Sequence, residues 1–414
     1  MSRLLLGSLA ALLLAVGLAA CGGSSDSATP TLNWWIATEP GGTRVTAAAR
    51  CNKEAAGKYK IVLQTLPNNP DAQRTQLVRR LAAGDTSIDL IGMDVVWTAE
   101  FAEAKWILPF PKDVTAAVTE DRLKGPLETA TYQGRLYGAP SDSNSQLLWY
   151  RKSLVGGKVP RTWDELISDA DGLPKAGRIE IAGAAAENTT VWFNSLVQSA
   201  GGQILSGPQT PSLGPAVTKA VQIMGKLATS KAADPSISQQ KEDQNRLAFE
   251  TGQAAYQVNW PFIYPSAVEN APDVAKDIGW TTYPAVSDSE PAKAPIGGFN
   301  QGVSSTTKHP QEAFAAAACI ASAQNQKDYA TKGGLPPTLN SVYDDPEVRK
   351  TYPFGDLLRK QLDDGAARPV SPAYSDISLA IYSTLSPPQN AAQASVVQKL
   401  KDNIDKALDS KALL

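Results

Sequence analysis

One histidine, His309, three cysteines and three methionines are spread over 414 residues, and each scarcity removes a class of chemistry. A lone histidine cannot furnish a histidine-dependent catalytic triad, a zinc site or a haem ligand set. Charged residues make up 19% of the chain, and 39 Lys and Arg against 41 Asp and Glu leave a formal charge of -2. That balance carries no basic footprint for nucleic acid. No self-similar period of about 20 to 50 residues is visible, which argues against a solenoid. No metal or cofactor is expected.

The one long apolar run lies at the start, where Arg3 is followed by Leu4 to Ala20, then Cys21 and a Gly22-Gly23-Ser24-Ser25 stretch. This pattern reads as a signal peptide over residues 1–20, since a comfortable membrane span wants roughly 20 apolar residues plus flanking anchors. Leu18-Ala19-Ala20-Cys21 resembles the bacterial lipobox, which implies that the Cys21 thiol is lipidated and becomes the mature N-terminus. Residues 21–30 then form a flexible leash to the outer face of the cell membrane. An ordinary secretory peptide with a bystander cysteine is the plainer alternative.

The remaining chain of roughly four hundred residues is too long for one simple core and suits two lobes. Cys51 and Cys319 are an even pair in an oxidising compartment, which favours a disulfide; two separate buried thiols are the alternative. If bonded, they bring a helix near the start of the chain beside one much later in it.

Leu32 to Ala37 reads as a strand, Lys60 to Leu66 as a second and Ile88 to Met93 as a third. An alanine-rich helix carrying Cys51 lies between the first two. Between the second and third, Pro70 and Asp71 open a helix that shows Leu77, Val78 and Leu81 on one face and closes at Gly84. Strand and helix alternate, so an α/β fold with a mainly parallel sheet is expected. Leu147 to Tyr150, Ala255 to Asn259 and Ile278 to Tyr283 read as further strands. Thr162 and Glu165 have the spacing of a capping box. Later helices are expected at 191–199, 216–228, 244–250, 309–322 and 392–408.

The run Asp94-Val95-Val96-Trp97-Thr98-Ala99-Glu100-Phe101 is more particular. So are Arg50-Cys51-Asn52, Gln146 to Arg151, Val191-Trp192-Phe193-Asn194, Arg246 to Glu250, Val258 to Phe262, Ile296-Gly297-Gly298, Gly333 to Pro336 and Ala367-Arg368-Pro369. Collinear along the chain, these segments resemble the mycobacterial-type trehalose-binding lipoproteins of ABC sugar importers, within extracytoplasmic solute-binding protein family 1. The resemblance implies a periplasmic-binding-protein-like fold of two α/β lobes joined by hinge strands around a ligand cleft. Residues 31–138 and 303–345 would form the N-lobe, and residues 142–298 and 346–414 the C-lobe. It further implies a monomer that captures a disaccharide, trehalose above all, and hands it to ABC permease and ATPase subunits.

A sugar shows hydroxyls at its edges and C–H patches on its faces, so its site needs carboxylates, amides, a guanidinium and aromatic planes. Asp94 follows a strand at the edge where α/β clefts open, although an aspartate there also suits a helix N-cap. Asn144 stands at the first crossing between lobes, where its amide could donate and accept; a turn asparagine is the alternative. Glu242 matches a ligand-binding acid of the family, against an ordinary solvated charge. Trp260 is placed to show a ring face to a pyranose, against a core tryptophan. Gly298 would let backbone approach the ligand, with Phe299 as wall, against a plain turn glycine. Arg368 would fork onto vicinal hydroxyls, against a surface ion pair. Glu39 stands one residue out of step with an acidic position in the family's first loop. The stretch from Trp260 to Tyr283 is shorter than in the mycobacterial proteins, which bears on the identity of the sugar.

Other readings stay open. Asp94 and Glu242 could be cast as the paired carboxylates of a glycoside hydrolase, and a scaffold protein would need no closing cleft. Within the binding-protein class, maltose and other small sugars or polyols compete with trehalose, because fold alone does not choose the ligand.

Overall fold

The computed structural model describes residues 29–39, 41–173, 178–252 and 254–409. The expected signal peptide, the lipidated Cys21 and the leash as far as residue 28 lie outside the described residues.

Strand β1 (Thr31–Ala37) buries Leu32, Trp34 and Ile36 on one face and Trp35 on the other, as a strand covered on both sides must. Helix α1 (Thr43–Glu54) buries Ala47, Ala48 and Cys51, and leads to β2 (Lys60–Leu66). In helix α2 (Pro70–Ala82) the Asn69 side chain accepts the Ala72 N–H at 3.0 Å and Pro70 occupies the first turn, where its missing N–H costs nothing. Leu77 and Leu81 are buried, and Gly84 follows the helix at a φ of 69°. Strand β3 (Leu90–Asp94) is buried until its last residue.

Strand β4 (Ala139–Ser145) passes almost directly into β5 (Leu147–Arg151). Then come α3 (Trp163–Gly172), β6 (Ile179–Glu180), α4 (Glu187–Ser199), α5 (Glu242–Glu250), β7 (Tyr256–Asn259) and β8 (Ile278–Thr281). Strand β9 (Ile296–Val303) returns to the first sheet and is followed by α6 (Pro310–Ile320), α7 (Ala323–Gly333) and α8 (Tyr374–Leu385). The first sheet runs β2-β1-β3-β9-β4 and the second β8-β5-β7-β6.

The sheets are mixed, which corrects the expectation of a mainly parallel one. Strand β1 is parallel to β2 and β3, but β9 is antiparallel to both β3 and β4. In the second sheet β5 is antiparallel to β7 and β8, and only β6 joins in parallel. The cause is topological: β4 leads out of the first sheet toward the second and β9 comes back, so the two run side by side in opposite senses. A third link lies beside them, where Ala366 donates its N–H to Ala294 and accepts that of Ile296.

Cys51 on α1 and Cys319 on α6 are disulfide-bonded across 268 residues. The helix expected over 309–322 stops at Ile320, and α7 starts three residues later. The capping box is half formed. Thr162 Oγ1 accepts the Glu165 N–H at 3.2 Å, but the Glu165 carboxylate turns to the Arg161 N–H at 2.9 Å.

Each sheet has its own core. Leu148, Val258, Ile179, Trp192 and Met224 belong to the core on one face of the second sheet. Trp149 and Leu147, on its other face, pack with Phe354 and Leu358, and the same cluster takes in Leu123 and Ala330. Apolar burial at about 25 cal/mol per Å² holds each lobe together, and the three chain crossings hold the lobes facing one another.

Candidate functional site

The cleft opens where β3 ends. Asp94, the last residue of β3, stands in register with Phe299. Its Oδ1 accepts the Val96 N–H at 3.2 Å and so turns the chain out of the sheet. The residue therefore shapes the turn while its carboxylate faces the cavity. Burial raises its pKa; the Arg368 guanidinium pulls it back down, and Glu187 adds to the rise.

At the crossing, Asn144 on β4 lies opposite Gly297 on β9, and its Oδ1 is buried without a hydrogen-bond partner. A Cβ on Gly297 would meet both Asn144 Cβ and the Trp260 ring at 3.4 Å, so the indole approaches this strand closely. Gly298 has a φ of 128°, and a Cβ there would fall 2.3 Å from the Asp142 carbonyl oxygen. Glycine is thus required by the close passage of β4, where the register shifts between Phe299 and Asn300. Phe299 lies beside Arg44, whose guanidinium carbon is 5.7 Å from its ring centroid.

Glu242 begins α5, whose start is tied to the second sheet by Asn259 Nδ2 donating to the Glu242 carbonyl at 3.0 Å. Burial raises the pKa of the Glu242 carboxyl, with the Trp260 side chain and Lys241 opposing that rise. Trp260 is half-buried at the end of β7, its backbone N–H held by Asn259 Oδ1 at 2.8 Å.

Arg368 is 8% exposed, in contrast to a surface arginine. Its Nη1 donates to Glu187 at 2.6 Å and its Nη2 to Asp94 at 3.4 Å, while its Nε has no partner. Burial works to lower the arginine pKa, but Tyr374, Asp94 and Glu187 together hold it above the ordinary value. Glu187 also accepts hydrogen bonds from Tyr374 Oη and Ser378 Oγ, so both of its oxygens are engaged. Two of the nitrogens expected to fork onto sugar hydroxyls are thus engaged with acids from either side of the cleft.

Glu39 caps α1 from the preceding loop. One oxygen accepts the Gly42 N–H at 2.7 Å, and the other accepts Thr43 Oγ1 at 2.7 Å and the Arg44 N–H at 2.9 Å. An acid at a helix start is favourable in its own right.

All eight residues singled out in the sequence line one cavity of about 400 Å³, within the usual range for small-molecule sites. Several of its residues were not singled out there as site residues. Arg44 is buried, bonded to Asp142 at 2.8 Å and stacked over the Tyr329 ring at 4.6 Å. Glu187 and Asn188 open α4, just ahead of the Val191-Trp192-Phe193-Asn194 segment. The Asn68-Asn69-Pro70-Asp71 run follows β2 at the same sheet edge as Asp94. The rule that α/β ligands gather beyond the carboxyl ends of parallel strands could have found that run; nothing local marked Glu187. The lining mixes amides, carboxylates and two arginines with an indole and a phenyl ring, a combination suited to holding hydroxyls by hydrogen bonds and C–H faces by aromatic contact. Among the described residues no group of three or more His, Cys, Asp or Glu could hold a metal ion.

Two lobes, three crossings and a cleft between them define a two-lobed binding-protein-like α/β fold rather than a barrel or sandwich. The model of the bacterial extracellular solute-binding protein family matches residues 38–327, and the chain belongs to that family, one of binding proteins and not of enzymes. A probable ABC transporter-binding protein of Deinococcus radiodurans is 27% identical over 361 residues, covering 80% of this chain and 83% of its own. Among solved structures, maltose-bound MalE3 of T. maritima superposes with a TM-score of 0.80 at 24% identity, covering 92% of this chain and 99% of that one. A solute-binding protein of Thermotoga lettingae bound with α-D-tagatose gives 0.79 at 22%, covering 92% and 100%. Among the described residues no helix is long and apolar enough to cross a membrane.

Proposed function

We propose that this chain is the lipid-anchored, substrate-binding protein of an ABC importer, capturing a disaccharide by hinge closure and delivering it to a membrane permease. Trehalose is the favoured ligand. The observation that carries the reading is the convergence of Asp94, Asn144, Glu242, Trp260, Gly298, Phe299 and Arg368, drawn from both sheets and all three crossings, onto one cavity. Carboxylates and amides meet the hydroxyl edge of a sugar there, and Trp260 and Phe299 meet its faces. Closure fits a hinge made of two adjacent strands and a neighbouring link, because a few residues at element ends can absorb the rotation. Maltose is the second reading, favoured by the likeness to a maltose-bound protein.

The test is thermal unfolding of the purified protein with trehalose, maltose, sucrose and glucose in turn. A ligand at 100 times its dissociation constant adds about 2.7 kcal/mol of stability. A shift with trehalose alone supports the full reading, and a shift with maltose alone moves the substrate within the class. No shift with any sugar contradicts it. For the anchor, fatty-acid label incorporated by the wild type and absent from Cys21→Ala is expected.

A further inference from the structure

Five carboxylates line the cavity, those of Glu39, Asp71, Asp94, Glu187 and Glu242, against three cations, those of Arg44, Lys241 and Arg368. The cations are unevenly spent. Arg44 is paired with Asp142 at 2.8 Å. Arg368 is shared between Asp94 and Glu187. Glu39 is held by the start of α1. Asp71 and Glu242 remain, and among the described residues no cation lies at ion-pair distance from either. Lys241, exposed on the lining, acts on both only through space, and Arg74, itself paired with Glu100, acts on Asp71 in the same way. Burial penalises both charges, so each stands to gain from a donor that the ligand brings. Two lining groups point independently to a ligand that also carries acceptor oxygens, as a saccharide does: Asn188, 8% exposed, has an unpartnered Nδ2 donor, and Arg368 an unpartnered Nε donor.

We infer that the cleft prefers a saccharide bearing a protonated amine over its neutral parent and rejects anionic sugars, with the amine met by Glu242 in a negative field completed by Asp71. The inference rests on the saccharide reading above and names the ligand's charge class. A neutral hydroxyl donating to Glu242 leaves the half-buried negative charge uncompensated, whereas an ammonium both donates and neutralises. Charge-assisted hydrogen bonds are roughly twice as strong as neutral ones, which corresponds to about tenfold in affinity. A uronate or sugar phosphate would add like charge to a site that already holds an excess, and like-charge juxtaposition disfavours binding.

The experiment is calorimetric titration at pH 7 with trehalose, with its 2-, 4- and 6-amino-deoxy analogues and with trehalose 6-phosphate, repeated with the maltose series if maltose is the parent that binds. At least one amine isomer should bind about tenfold tighter than the parent, and the phosphate at least about tenfold weaker. Glu242→Gln should bring the amine and parent affinities to within about twofold of each other, in whichever direction the parent affinity itself moves. Asp71→Asn, in the solvent-facing first turn of α2 at the mouth of the cleft, should narrow the preference as well. Parent binding with no amine isomer tighter than it, or a preference that survives in both variants, overturns the inference and leaves the saccharide reading standing. Absence of binding by parent and amine alike overturns the saccharide reading and the inference with it.

Discussion

Arg368 reaches Asp94 across the cleft, Nη2 to Oδ1 at 3.4 Å, from a position just past the third crossing between the lobes. The same guanidinium is anchored on its own side by Glu187 at 2.6 Å. One buried cation thus compensates acids from both lobes.

Removing that cation strands two acids. Arg368→Ala is expected to cost about 3 kcal/mol or more, as when one partner of a buried pair is deleted, and Arg368→Lys to recover only part because it lacks the planar fork. Urea denaturation of the two variants, with Glu187→Gln added to each, checks this. A double variant recovering stability relative to Arg368→Ala alone marks the uncompensated carboxylate as the source of the loss.

Glu180 supplies a pH test. It is fully buried on β6, and burial, with Asp234 adding to it, pushes its pKa up from 4.5 to about 7. A carboxyl raised in the folded state binds more protons folded than unfolded between those values. Stability from this group is therefore greatest below about pH 4.5 and declines as pH rises toward 7. Glu180→Gln should flatten that decline and gain stability on the order of 2 kcal/mol at pH 8, read from urea midpoints between pH 5 and 8. Unchanged pH dependence would count against a proton held there.

The bond between Cys51 and Cys319 closes a loop of 268 residues. Paired Cys51→Ala and Cys319→Ala substitutions are expected to lower stability by about 2–5 kcal/mol while leaving ligand affinity within error, since neither residue lines the cleft. Calorimetry with and without reductant checks the first part, and titration with the bound sugar the second.

The close passage of β4 is by itself enough to require glycine at position 298. Gly298→Ala puts a methyl 2.3 Å from the Asp142 carbonyl oxygen at a φ that L-residues avoid, and should cost more than about 2 kcal/mol. Gly297→Ala, whose methyl meets Asn144 and Trp260 at an ordinary 3.4 Å, should fold normally. Comparison of the two melting curves separates a strained strand crossing from a general intolerance of side chains there.

The strands 32–37 and 60–66 and the helix opened by Pro70 were legible because their apolar spacing and capping residues act locally. Strand direction was not, since the antiparallel course of Ile296–Val303 follows from where the chain returns and not from its composition. The same division holds at the site. Asp94 and Trp260 sit in distinctive segments and Glu242 just ahead of one, and all three line one cavity. Glu187, by contrast, acquires its importance only from Arg368, which lies 181 residues away. Arg44 likewise gains its setting from Asp142 and Tyr329. Such pairings are long-range, and no local pattern announces them.

The central claim is that the cleft between the two sheets traps a sugar, and calorimetric titration of the purified protein with trehalose and maltose tests it most directly. Saturable one-to-one binding of either sugar, lost in Asp94→Ala and in Trp260→Ala while both variants keep a cooperative unfolding transition, is the predicted result. No heat with either sugar, or binding undiminished in both variants, would contradict it.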